Sequence, residues 1–302
     1  MTGLYAWAEH LARSGLLPAD FQYPFMVRGF LCVLLLAPIL GGLSHLVVAR
    51  RMAFFSAALG QATLTGVAVG LLLGEPLNSP YVGVFGFCLL STLAMVYVKR
   101  RSSLPPDTLI GVFLALTLGR GLCLLVAVTR QFNVHQVESV LFGSLLTVTD
   151  GDLAVLLVAG AVVAALLLRE YNALLLDSLS PPLAAVTGAD SAYLEYLFAV
   201  LLAVAIVISL KVIGALLVEA LVVVPAAAAR NLARSTRGYL LWSVLVAFLA
   251  GAGGLGISTR LLVPTGGAVV LAVSLLFFLT LLAGALLRRG RRAAERSAVS
   301  PR

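Results

Sequence analysis

The chain has 302 residues, of which 61% are hydrophobic and only 11% charged, and its mean hydropathy is +1.07. A soluble domain carries about twice that share of charge, so the composition excludes one and points to an all-α, polytopic membrane protein. The net charge of +8 lies mostly at the ends of apolar stretches, which needs no nucleic acid to explain it.

Taken from the N-terminus, residues 1–22 mix Trp7, Leu11 and Leu16 with Glu9, Arg13 and Asp20. That pattern predicts a retained amphipathic segment at an interface, not a cleaved signal peptide. A transmembrane domain over 23–287 follows. Its nine candidate spans are 25–48, 53–73, 81–98, 108–129, 151–168, 193–210, 212–229, 239–258 and 266–287. Each has about the length a bilayer core requires, giving about eight to nine transmembrane helices. Residues 133–149 are too polar and too short to cross alone, and are compatible with a surface or re-entrant helix. The longest connection on the basic side is 170–192, and a basic tail closes the chain at 288–302.

Arg50, Arg51, Lys99, Arg100, Arg101, Arg169, Arg230, Arg234 and Arg237 fall after alternate spans, and the arginine-rich tail falls on the same side. The positive-inside rule makes that side cytoplasmic, with the N-terminus outside, the C-terminus inside and the tail against anionic lipid. A multi-pass protein of the inner (plasma) membrane is expected. Cys32, Cys88 and Cys123 are scattered within apolar runs and read as small buried hydrophobes, not a metal cluster. His10, His45 and His135 read as solvated or interfacial; His135 with Glu138 shares a helical face and is the best placed to be a ligand. No G-x-x-x-x-G-K-[ST] occurs, so any ATP-driven work requires a separate subunit.

Five stretches then occur in order: "ARRMAFFSAALGQATLTGVAVG" (49–70), "DTLIGVFLALTLG" (107–119), "VLFGSLLTVTDGDL" (140–153), "KVIGALLVEALVVVPAAAARNLAR" (211–234) and "LLVPTGGAVVL" (261–271). Together they resemble the permease subunits of bacterial zinc, manganese and iron ABC importers, the ABC-3 type. The resemblance implies an all-helical permease for divalent metal cations that alternates its access. It implies a second permease copy, in a homodimer or heterodimer. It further implies two ABC ATPase subunits that hydrolyse the ATP and an extracellular metal-binding lipoprotein. It also implies that "PLAAVTG" (182–188) is the ATPase-coupling segment, with Pro182, Leu183, Ala184 and Gly188 its marked residues. Gly188 is a suitable helix stop.

The chain departs from that pattern in one direction. Where the family commonly has an aspartate and a histidine on its second helix, Ala57 and Gln61 stand here. Leu262 and Val263 precede Pro264, where an acid is usual, and Ala115 stands where a histidine sometimes occurs. An amide oxygen is a weak neutral ligand and a methyl is none, so no metal ligands are assigned. The runner-up reading is a permease of the same fold for another solute, or a non-binding partner in a heteromeric permease. A secondary carrier or an intramembrane enzyme comes from other classes; the spans contain no nucleophile beside a base and no His/Glu metal motif.

Two intramembrane charges stand out, because an unpaired charge at mid-bilayer costs at least ~2.5–3.5 kcal/mol. Arg120 lies ~18 Å and Glu219 ~15 Å from the basic side at 1.5 Å per residue. Equal depth allows an interhelical pair. Alternatively Glu219 faces a transport pathway with Gln61 and Thr65. Pro225 should kink its helix, and Ala226 to Ala229 should admit a close neighbour.

Overall fold

The computed structural model describes residues 22–75, 81–129, 149–261 and 263–299. Among these the helices are α1 Pro24–Ala49, α2 Phe55–Leu72, α3 Tyr81–Arg101, α4 Pro106–Thr129, α5 Asp150–Leu179, α6 Pro181–Val186, α7 Ser191–Ile213, α8 Ala215–Leu232, α9 Thr236–Leu261 and α10 Thr265–Val299. No strand occurs among the described residues. Among the described residues, 7 helices are long and apolar enough to cross a membrane: α1, α2, α3, α5, α7, α9 and α10. The other two predicted spans lie on α4 and α8. Residues 1–21, the stretch 130–148 with His135 and Glu138, Leu262 and residues 300–302 lie outside the described residues.

Two boundaries differ from the sequence expectation. Helix α5 runs to Leu179, well into the predicted loop 170–192, because "EYNALLLDSL" contains no glycine or proline and buries Leu174 and Asp177. The connection proper is only 180–190. Helix α10 continues through the predicted boundary at 287 to Val299.

Local chemistry sets the breaks. Thr149 and Asp152 form a reciprocal capping box at the start of α5: the Asp152 N–H donates to Thr149 Oγ1, and the Thr149 N–H to Asp152 Oδ2, each at 3.2 Å. Between α7 and α8 a single residue, Gly214, makes the turn, at φ 81° and ψ 162°. That backbone region is open essentially to glycine alone, so two apolar runs with no polar linker become two helices.

The helices pack as two groups. Helices α2, α3 and α4 form one, and α1, α8, α9 and α10 the other; α7 touches members of both, and α5 lies against α1 and α7. Within the first group α2 and α3 meet backbone to backbone. A Cβ on Gly83 would stand 2.5 Å from Gly70 Cα and 2.6 Å from the Gly66 carbonyl oxygen. Small residues give this close approach in a membrane, where lipid tails leave helices little hydrophobic reason to associate. Gly66 and Gly70 of α2 are therefore engaged inside the chain.

In the second group Pro225 lies inside α8, which runs on through it to Leu232. The N–H of the following residue, Ala226, donates to Ser44 Oγ of α1 at 3.0 Å, deep in the bundle. A side chain entering the helix ladder at a proline is a recognised cause of a kink. Ala226, Ala228 and Ala229 are fully buried there, which is the close approach expected of them. His45 departs from expectation. It is 1% exposed, and its ring sits 5.5 Å from that of Tyr171 and 5.9 Å from that of Tyr239. The cause is that α5 and α9 both cover the end of α1.

Candidate functional site

The ends of α1, α3, α5 and α7 meet at one rim of the bundle, the end that carries the basic residues. Each residue of the "RRM" triplet has a separate job there. Arg50 closes α1; its Nη2 donates to Asp177 Oδ2 at 2.9 Å and to the Leu174 carbonyl at 3.2 Å. Both side chains of this ion pair are almost fully buried, at 7% and 6% exposure. The Arg50 guanidinium also lies 4.9 Å from the centre of the Phe198 ring, within cation–π range. Burial pushes Arg50 below its ordinary pKa, and Asp177 and Glu195 oppose that shift.

Arg51 adopts φ 55°, a left-handed conformation unusual for a residue with a side chain. It lets the Met52 N–H reach the Val47 carbonyl at 2.9 Å and the Arg51 N–H reach Val48 at 3.2 Å, the two bonds of a Schellman stop. Met52 is thereby buried, at 2% exposure, and the chain turns into α2.

The other oxygen of Asp177 is also used. Ser191 Oγ donates to Asp177 Oδ1 at 2.7 Å, so one carboxylate ties the end of α5 to both the end of α1 and the start of α7. One turn later, Glu195 of α7 pairs with Lys99 at 2.6 Å and Arg100 at 3.1 Å, both from the end of α3. Sequence reasoning missed Asp177, Ser191 and Glu195. The signal was present as a buried-face aspartate in a run without breakers, and as an acid one turn into a helix facing a basic helix end.

Helix α6 projects from this anchored base. Pro181 and Pro182 open it, which suits positions whose N–H would lack a helical partner. Gly188, at φ 80°, closes it. The Gly188 N–H donates to the Ala185 carbonyl and the Ala189 N–H to the Ala184 carbonyl, each at 3.1 Å, a second Schellman stop. Ala184 points inward and is fully buried, while Leu183 and Val186 are 52% and 84% exposed. The predicted coupling residues are thus a well-formed single turn showing apolar side chains outward.

The middle of the bundle is different in kind. Gln61 is half-buried on α2, one turn from Ala57. Thr65 is fully buried, and its hydroxyl makes a long 3.4 Å contact to the Thr117 carbonyl of α4. Glu219 is half-buried on α8. Helices α2 and α8 touch, so Gln61 and Glu219 belong to neighbouring elements.

The expected pair of Arg120 with Glu219 is not formed within the chain. Arg120 is exposed on α4, with its guanidinium 5.9 Å from the centre of the Phe87 ring of α3. The two helices have different main partners: α4 packs chiefly on α2, whereas α8 packs chiefly on α1, α9 and α10. Among the described residues, no group of three or more His, Cys, Asp or Glu side chains could hold a metal ion.

Comparison with known proteins follows the same outline. The family model described as ABC 3 transport family matches residues 22–284. The high-affinity zinc uptake system membrane protein of Haemophilus influenzae is 31% identical over 262 residues, covering 87% of this chain and 97% of that protein. The manganese import system permease protein of Streptococcus gordonii is 27% identical over 259 residues, covering 86% and 91%. Among solved structures, PsaBC from Streptococcus pneumoniae in complex with Fab aligns with a TM-score of 0.74 at 26% identity. That alignment covers 85% of this chain and 91% of that one.

Proposed function

The chain belongs to the ABC 3 transport family, and from that premise we propose that it is the permease subunit of an importer for a divalent first-row metal cation. ATP is hydrolysed by separate ATPase subunits that dock on α6 from the cytoplasmic side. The permease works with a second permease copy and receives its cargo from an extracellular binding protein. The N-terminus is outside and the C-terminus inside, as the placement of Arg and Lys favours.

The observation that carries this reading is α6 itself. It is a short helix with exposed Leu183 and Val186, on a base held by the buried Arg50–Asp177 ion pair. That is a docking knob for a partner that moves. The zinc and manganese systems of the relatives support the class of cargo. Gln61 and Glu219 are the pathway residues of this reading; Thr65 lies next to them but faces α4.

A second reading is favoured by one specific observation. Ala57 and Gln61 supply no charge to α2, so the chain is either a non-binding half of a heteromeric permease or a carrier of a different solute.

ATP-driven uptake in proteoliposomes separates the two. The chain is reconstituted with its cognate ATPase and binding protein, and zinc, manganese and iron(II) are offered separately to wild type, Gln61→Ala and Glu219→Gln. Uptake of one metal, lost in Glu219→Gln, is the expected result. Nucleotide-driven cycling with no uptake of any of the three would sink the metal reading and leave the second.

A further inference from the structure

The geometry points to Asp177 as a positioning residue for coupling: its carboxylate locks α6 to the α1–α2 corner, so that the two move as one rigid unit. This rests on the reading of α6 as the ATPase-docking element.

The argument starts from what a six-residue helix can do. Helix α6, Pro181–Val186, is too short to hold its own direction and can transmit a push only through its base. That base is the end of α5 and the start of α7, and Asp177 joins them through Ser191 at 2.7 Å. Its second oxygen takes Arg50 at 2.9 Å. Arg50 is the last residue before the tight stop of α1, and Met52 and Phe55, both buried, follow directly into α2. The chain of contacts therefore runs from α6 through Asp177 and Arg50 to the start of the helix that carries Gln61.

Each link is short, charge-assisted and enclosed. Such links are stronger than neutral ones and strongly directional. The neighbouring cluster of Glu195 with Lys99 and Arg100 fixes α7 to α3. The other half of the α2–α3 pair is thus held to the same base. Coupling between distant sites needs an element whose position both ends control, and this clamped corner supplies one.

The test uses the full chain with its ATPase, in a Cys123→Ser background. Spin labels are placed at Leu179→Cys, beside α6, and Phe54→Cys, at the start of α2. Both positions are exposed, at 69% and 56%. The distance between the labels is recorded with and without ATP, and ATPase co-purification is scored in parallel.

One narrow distance, unchanged by ATP, is expected in the parent. Asp177→Asn should keep the ATPase but split or broaden the distribution, and the milder Ser191→Ala should do so to a lesser degree. Leu183→Asp should lose the ATPase while keeping the narrow distance. An unchanged narrow distance in both Asp177→Asn and Ser191→Ala would overturn the clamp, whatever Leu183→Asp does. A broad distance already present in the parent would overturn it too. Retention of the ATPase by Leu183→Asp would instead overturn the docking reading and leave the clamp to its own distance result. Loss of the ATPase by Ser191→Ala with a narrow distance would count against the clamp, since positioning would then not be what fails.

Discussion

At the rim, Arg50, Asp177, Ser191, Glu195, Lys99 and Arg100 join the ends of four helices through hydrogen bonds and ion pairs. In the middle of the bundle, Gln61 and Glu219 make no hydrogen bond or ion pair among the described residues, and Arg120 faces away from both. The two regions are built from the same kinds of helix, yet one concentrates charge and the other is nearly free of it. The difference teaches where this permease is constrained. The rim beside α6 is cross-linked by ion pairs, whereas Gln61 and Glu219 in the centre are not. A change of cargo could be accommodated in the centre without touching the machinery that an ATPase would grip.

The largest effect that would break this contrast comes from its two acids. Asp177→Ala leaves Arg50 buried without its partner, which typically costs about 3–5 kcal/mol. Thermal unfolding in detergent should show a large drop. Glu219→Gln removes a half-buried acid with no intrachain partner and should leave the unfolding temperature nearly where it was. Equal losses in the two variants would mean that the centre is as constrained as the rim.

A smaller effect sharpens the comparison by testing packing in place of charge. Gly83→Ala forces α2 and α3 apart, because the new methyl would meet backbone at 2.5 Å. Overpacking of this kind costs about 1–3 kcal/mol. The same unfolding assay reads it, and no loss would show that α2 and α3 separate freely. The smallest effect is expected at the edge of the rim. Lys99→Ala leaves Arg100 on Glu195, and the pair is partly exposed, so a loss below about 1 kcal/mol, shrinking further in high salt, is expected. A salt-independent loss as large as that of Asp177→Ala would place Lys99 in the buried clamp.

Hydropathy made the spans legible, because a bilayer demands length and apolarity whatever the neighbours are. All nine predicted spans lie on helices. A local rule also served: Gly188 stops α6 at positive φ.

Other features depended on which way a helix faces, which depth alone does not give. Arg120 and Glu219 were matched by depth, but α4 packs chiefly on α2 and α8 chiefly on α1, α9 and α10. Asp177 looked like a loop residue because the run "LLLDSLSPP" reads as the approach to a proline turn, yet its partner on α1 is 127 positions away. His45 looked interfacial from its place near the end of a span, but α5 and α9 cover it. Of the candidate site, the short helix α6 and its glycine stop were readable, and the ion pair at its base was not.

The separation between Arg50 and Asp177 has a consequence for how the protein is made. At roughly 5–20 residues per second of synthesis, Arg50 leaves the ribosome about 6–25 s before Asp177 does, given their separation of 127 positions. During that interval α1 and α2 can enter the membrane, but their corner lacks the carboxylate that closes it. The first two spans must therefore wait for the fifth helix before they are fixed. A chain arrested after α4 should stay open to proteases at Arg50 and Arg51, and one arrested after α7 should not.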